Sequence, residues 1–255
     1  MARSISNGTI RFGVAAVPIK VHSAVEDHGI HFHQVHVKDG ARVQQRICSK
    51  DGKAVPDKQV VKGYEVRSGE YVILDQEEID AASGRRSRAI ELEEFVRAAE
   101  IDPVYYERSY YLGAGKDGRD AYRLLHDALE RSERVGIGRW VFHNREYLVA
   151  VRSLDHVLAL HTMRFSEELI DTGSLDFPAP RRRPGRREIE MASALVDELH
   201  ARFEPESFAD SYRDRVLELI RMKARGEEPD LPEAPERQDA PDLMAALEAS
   251  LAARR

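Results

Sequence analysis

Residues 135–165 run VGIGRWVFH, NRE, YLVAVRS, LDH, VLALHTMRF, and this stretch decides the fold class. Three runs rich in Val, Leu and aromatic residues alternate with period two, the signature of half-buried strands. The connectors Asn144-Arg145-Glu146 and Leu154-Asp155-His156 are too short for a crossover helix, so neighbouring strands must run antiparallel. The pattern extends towards the N-terminus. Residues 119–134 predict a helix with Tyr122, Leu125, Ala128 and Leu129 on one face. Before it, residues 104–112, 89–96, 71–74 and 60–67 have strand character. In GTIRFGVAAVPIKVHSAV, residues 8–25, Ile10, Phe12, Val14 and Ala16 alternate with polar or small neighbours; the apolar phase then shifts to Val17, Ile19 and Val21, which predicts a bulge or bend near Pro18. A second strand is expected over Ile30–Lys38, with strand-like text from Ala41 to Ile47 and turn signals at Asp39-Gly40 and Asp51-Gly52. At least seven strands with local connections favour an antiparallel barrel over an open parallel sheet. The fold class is α+β, mainly β.

The C-terminal quarter changes character. A loop at 177–187 holds Pro178, Pro180, Pro184 and five arginines. Two helices follow, marked by Ala192, Leu195, Val196, Leu199 and Phe203, and then, after Pro205, by Phe208, Tyr212, Val216, Leu219 and Ile220. Pro229, Pro232, Pro235 and Pro241 interleaved with acids form an extended linker, and a last short helix carries Leu243, Met244, Leu247 and Leu251 on one stripe. The expected organisation is residues 1–187, a helical arm at 188–225, a linker at 226–241 and a terminal helix at 242–255.

The formal charge of −6 argues at first against an anionic partner. Yet residues 226–255 alone hold eight acids against three arginines, so the rest of the chain is nearly neutral and is free to carry a basic surface. No run of roughly 18 apolar residues is present, and the opening MARSISNGTIRFG lacks the apolar core of a signal peptide. Cys48 is the single cysteine, which excludes an intrachain disulfide and a cysteine zinc site. A cytoplasmic protein is expected.

Candidate chemistry is sparse. Gly113-Ala114-Gly115-Lys116-Asp117-Gly118 matches G-x-G-x-x-G, but a dinucleotide site needs a parallel βαβ unit, and the surrounding strands are antiparallel; a plain glycine loop accounts for it better. His31, His33 and His36 could set imidazoles on one strand face for a metal, but no further ligand at motif spacing completes the set. No Walker lysine, G-x-S-x-G or nuclease carboxylate pair occurs, and no cofactor, metal or catalysis is expected. The basic text says more. Lys38, Arg42, Arg46, Lys50, Lys53, Lys58 and Lys62 lie on one excursion with few large apolar residues, accompanied by Gln44 and Gln45. Such a segment cannot bury itself; it either binds backbone phosphates without reading sequence or is a solvated arm. Arg85, Arg86, Arg88 and the Arg181–Arg187 cluster add patches of the same kind. The terminal helix is too short to stand alone in water, so it either docks in a partner's groove or packs back on its own body.

Taken together, GTIRFGVAAVPIKVHSA (8–24), HFHQVHVKDGARVQQRIC (31–48), VKGYEVRSGEYVIL (61–74), AEIDPVYY (99–106) and DLMAALEASL (242–251) resemble bacterial Ku across nearly the whole chain. The resemblance implies a β-barrel core, a bridging strand arm at about 41–74 that arches over DNA, and a C-terminal helical arm. It also implies a ring-shaped homodimer that binds double-stranded DNA ends without sequence preference, in non-homologous end-joining repair at breaks in the nucleoid. Recruitment of the ATP-dependent DNA ligase D is implied through residues 242–251. Phe208, Tyr212, Val216 and Leu219 are then expected at the dimer interface, and Leu243, Met244, Leu247 and Leu251 against the ligase. A single-stranded nucleic-acid-binding barrel is the other reading, and it would need stacking aromatics on the basic strands.

Overall fold

The computed structural model describes residues 4–39, 41–43, 46–82, 89–143, 145–178 and 182–227. The chain divides into two units, Met1–Ser174 and Leu175–Arg255. Nine strands belong to the first: β1 (Ser6–Phe12), β2 (Ala15–Ser23), β3 (Lys62–Arg67), β4 (Glu70–Leu74), β5 (Ala89–Arg97), β6 (Tyr106–Ala114), β7 (Arg134–Phe142), β8 (Arg145–Leu154) and β9 (Val157–Met163). It also holds helices α1 (Gln76–Ala82) and α2 (Arg119–Ser132).

Seven strands close a barrel in the order β1-β2-β6-β9-β8-β7-β5. The meander read from residues 135–165 is β7-β8-β9, paired antiparallel throughout. An odd number of strands cannot alternate direction around a closed ring, so one neighbouring pair must be parallel. That seam is β1 against β5, with Thr9 opposite Ala89 and Arg11 opposite Glu91. The expectation of an antiparallel barrel is therefore refined by one parallel pair. The seam also fixes geometry. Because β2 runs against β1 and β5 runs with it, the end of β2 and the start of β5 lie at the same rim. Everything between them, residues 24–88, leaves and returns there.

The phase shift near Pro18 is neither bulge nor bend. Phe12 pairs with Ala15 across a two-residue hairpin turn, in which Gly13 has φ +56° and Val14 is fully exposed. A glycine with positive φ at the first turn position suits the twist of a tight hairpin. Ile10 before the turn and Val17, Ile19 and Val21 after it then face inward together. Other expectations also change. Residues 30–38 form no strand; a single bridge pairs Val35 with Arg42, and a second joins Ile47 to Ala54. With no adjacent strand to complete a ladder, Phe32 and Val37 stay in water.

The interior is filled by Ile10, Val17, Ile19, Val21, Ile90, Leu112, Trp140, Val149, Val151, Leu158 and Leu160, all nearly inaccessible. Helix α2 lays Tyr122, Leu125 and Leu129 onto this core and packs against β2, β7 and β8. The Tyr122 hydroxyl donates to the Leu112 carbonyl and accepts from the Leu158 amide at 2.7 Å, which ties α2 to β6 and β9. The strand directions place α2 at the rim opposite the one from which residues 24–88 spring. The connection from β5 to β6 crosses the outside of the barrel, where Ile101 and Tyr105 cover Val135, Ala150 and Met163.

In the second unit, α3 (Arg186–Glu198) and α4 (Ser211–Ala224) bury no residue. The sequence marks are shifted: Leu199 and Phe203 lie beyond α3, and Phe208 precedes α4, whose N-cap Asp210 accepts from the Arg213 amide at 2.9 Å. The linker beyond residue 227 and the terminal helix lie outside the described residues.

Candidate nucleic-acid interface

The excursion from the barrel rim has two parts of opposite charge. Residues 38–62 carry seven Lys or Arg against three Asp and contain no aromatic residue. Residues 63–82 carry six acids against one arginine. The first part is two small loops. One is held by the His36 amide to the Ala41 carbonyl at 2.8 Å, the other by the Cys48 amide to the Lys53 carbonyl at 2.9 Å. At the turn of the second loop Gly52 has φ +69°, as the Asp51-Gly52 signal predicted. The second part is the β3–β4 hairpin followed by α1, whose first turn is closed by a reciprocal pair. The Glu78 amide donates to Asp75 Oδ1 at 2.8 Å and the Asp75 amide to Glu78 Oε2 at 2.9 Å.

Lys38, Arg42, Arg46, Lys50, Lys53, Lys58 and Lys62 are all exposed. Arg46 is paired to Asp57 at 3.3 Å. Lys38, Arg42, Lys50, Lys53 and Lys58 make no ion pair among the described residues. Exposed cations that lack protein partners keep their full attraction for phosphate and lose little on meeting it. Gln44, Arg85, Arg86 and Arg88 fall outside the described residues. The arginine loop before α3 is partly consumed by its own helix: Arg182 pairs with Glu188 and Arg186 with Glu190 at 2.7 Å. The Arg182 guanidinium and the Gly185 amide hold the Glu188 carboxyl down to about 2.

The β3–β4 hairpin is exposed on both faces. Tyr64 pairs with Val72 and Gly63 with Ile73, and Tyr64, Tyr71, Val72 and Ile73 are all open to water. A two-stranded ribbon with nothing over either face is marginal in water. Its charge makes it a poor partner for phosphate, so the bridging region expected at 41–74 divides into a cationic part ending near Lys62 and an apolar, acidic part beyond it.

Several readings from single motifs are resolved by packing. The glycine loop ends β6 and leads into α2. Cβ atoms at Gly115 and Gly118 would stand 2.8 and 2.9 Å from Pro18 atoms, so these glycines let the loop lie on β2. The fold does bring Lys20, Lys116 and Arg119, with Asp117 and Asp120, around one cleft of about 650 Å³. Lys20 comes from β2, far in sequence from the other four, and nothing in the sequence signals that it joins them. His31 engages Asp27 at 3.1 Å and His36 engages Asp39 at 3.0 Å, so neighbouring carboxylates take up these rings.

One half-buried trio has the look of a nucleophile and its base. Ser109 Oγ lies 2.8 Å from His161 Nδ1, and Arg152 Nε donates to His161 Nε2 at 3.1 Å. With Nε2 accepting, the ring proton of the neutral imidazole sits on Nδ1 and points at Ser109. The lone pair that would take the serine proton is already occupied. Burial, with the Arg152 charge adding to it, pushes the His161 imidazole below its ordinary value and keeps the ring neutral.

Residues 11–191 match the family model of Ku, described as the Ku70/Ku80 beta-barrel domain. A relative from Anaeromyxobacter sp. (strain K), named non-homologous end joining protein Ku, is 43% identical over 100% of this chain and 87% of its own length. A protein of the same name from Solibacter usitatus is 35% identical over 99% of this chain and 94% of its own. The Bacillus subtilis (strain 168) protein of that name is 32% identical over 96% and 80%. No described helix is long and apolar enough to cross a membrane.

Proposed function

We propose a function that proceeds from one fact: this chain belongs to the Ku family. It binds double-stranded DNA ends as a homodimeric ring, without reading sequence and without catalysing a reaction, and it recruits a DNA ligase to the joined ends. The observation that carries this reading is the excursion at 38–62, strongly cationic and free of aromatics, whose seven Lys and Arg side chains are all exposed, on a chain whose total charge is −6. Spaced cations grip a phosphate backbone irrespective of base order. The lack of aromatics removes the stacking platform a single-strand binder uses.

Two apolar surfaces left in water support the dimer. One is the β3–β4 hairpin; the other runs along the arm through Phe208, Tyr212, Val216 and Leu219, of which Phe208 and Tyr212 are more than 60% exposed. A second copy of the chain is the partner that two-fold symmetry supplies at no cost in new sequence. Residues 242–251 carry the proposed ligase contact through Leu243, Met244, Leu247 and Leu251. A closed ring admits duplex only through a free terminus, so selectivity for ends comes from topology.

The test is competition between a plasmid cut once and the same plasmid covalently closed. The cut form is expected to compete for the protein and the closed form to fail. Equal competition by both rules out the ring.

A further inference from the structure

His126 is a buried polar side chain that DNA binding does not use. It stands on α2 with 2% of its surface exposed. Its Nε2 lies 3.0 Å from the Asp155 carbonyl at the tip of the β8–β9 turn. A carbonyl can only accept, so Nε2 carries the ring proton. Nδ1 faces Asp127 Oδ1 at 3.1 Å, and in the neutral ring it carries a lone pair there. Two acceptors at that separation repel unless something positive lies between them. Glu130, one turn further along α2, brings a third donor, and the ligand atoms of His126, Asp127 and Glu130 all lie within 4.8 Å of one another.

We infer that His126 Nδ1 and the carboxylates of Asp127 and Glu130 form a binding site for a divalent transition-metal ion, with zinc the best fit. Imidazole nitrogen and carboxylate oxygen are both zinc ligands, and water can complete the coordination of a three-residue site. The contact from Nε2 to the Asp155 carbonyl is the outer support that fixes the tautomer and orientation of a ligating histidine. The local charge agrees. Arg123 pairs with Asp127 at 2.8 Å, whereas Glu130 makes no ion pair among the described residues, so with a neutral imidazole the cluster keeps one negative charge unbalanced. A bound ion would pin α2 to the β8–β9 turn at the barrel rim away from the proposed DNA-binding excursion. The site stands independently of the proposed function.

The test uses the full chain, stripped with chelator and titrated with zinc alone by calorimetry, with thermal melting in parallel. One ion per chain is expected, with a rise in melting temperature on saturation. Glu130→Gln, on an exposed residue whose loss leaves the core intact, is expected to weaken binding at least about tenfold, since loss of an outer-shell contact alone costs that much. Asp127→Asn is expected to act likewise. The variant His31→Gln/His33→Gln, which removes two of the exposed histidines elsewhere, is expected to bind as the parent does. Failure of the parent to bind zinc would overturn the site. So would zinc binding unchanged in Glu130→Gln, or binding lost only with His31 and His33. A His126 ring that carries protons on both nitrogens in excess zinc, seen by nitrogen NMR, would show that a proton fills the gap instead.

Discussion

The amide of Gly115 donates to the carbonyl of Pro18 at 2.8 Å, and a Cβ on Gly115 would stand 2.8 Å from that carbonyl carbon. The glycine loop is thus a packing device that lets the chain turn from β6 into α2 while lying against β2. Pro18 has no amide to offer, yet its carbonyl still closes the contact just where the β2–β6 ladder stops, beside Ile19. Gly115→Ala forces either the loop or β2 to move, and overpacking of this kind costs about 1–3 kcal/mol. Urea unfolding is expected to show that loss, with end binding per folded molecule unchanged. A variant as stable as the parent would mean that the loop yields freely.

His161 gives a pH dependence whose sign follows from its surroundings. Burial and Arg152 depress the folded imidazole below its ordinary value of 6.5. As pH falls through 6.5 the unfolded chain takes up a proton that the folded chain refuses, so stability falls with it. The loss continues until pH drops below the folded value. Urea midpoints measured across that window are expected to fall less steeply for His161→Gln than for the parent. Parallel curves would mean that this ring titrates alike in both states.

Charge reversal on the excursion separates binding from folding. Arg42, Arg46 and Lys53 are exposed and support no core contact. Arg42→Glu/Arg46→Glu/Lys53→Glu is expected to abolish the mobility shift of a linear duplex while melting and sedimenting as the parent does, because the apolar arm surface is untouched. Milder changes grade the effect. Each phosphate contact contributes about 0.9 to the slope of log affinity against log salt, so Lys53→Ala in a dimer removes up to about 2. A normal shift from the triple variant would take residues 38–62 out of the DNA contact.

The tail is tested by removing residues 226–255, which hold a net charge of −5. The truncated chain is expected to keep its end binding, and at low salt to bind somewhat more tightly, since it has shed like charge with the duplex. Stimulation of the ligase is expected to vanish. Undiminished stimulation would place the ligase contact elsewhere on the chain.

What the sequence disclosed and what it hid follow one rule: local periodicity was legible and non-local closure was not. The alternation in VGIGRWVFH, YLVAVRS and VLALHTMRF carries the register of β7, β8 and β9 directly, because each strand pairs with its neighbour in sequence. The β1–β2 hairpin was hidden because Val14 keeps the apolar alternation running through a turn where it is in fact exposed. The parallel seam was invisible because Arg11 meets Glu91 from far along the chain, and nothing in either segment names the other. Residues 30–38 mimic a strand because alternation measures what a segment could do beside a partner, and this one has a partner only at Val35. The cationic run could be counted from the sequence. That five of its cations lack ion pairs among the described residues is a fact of the fold that no count of charges reveals.

The common rim of β2 and β5 has a mechanical consequence. Residues 24–88 are tethered at both ends to the same edge of a closed wall, on either side of β1. A pull on this strap away from the rim is delivered along the axes of β2 and β5, where it is resisted by whole ladders slipping together and not by hydrogen bonds parting one at a time.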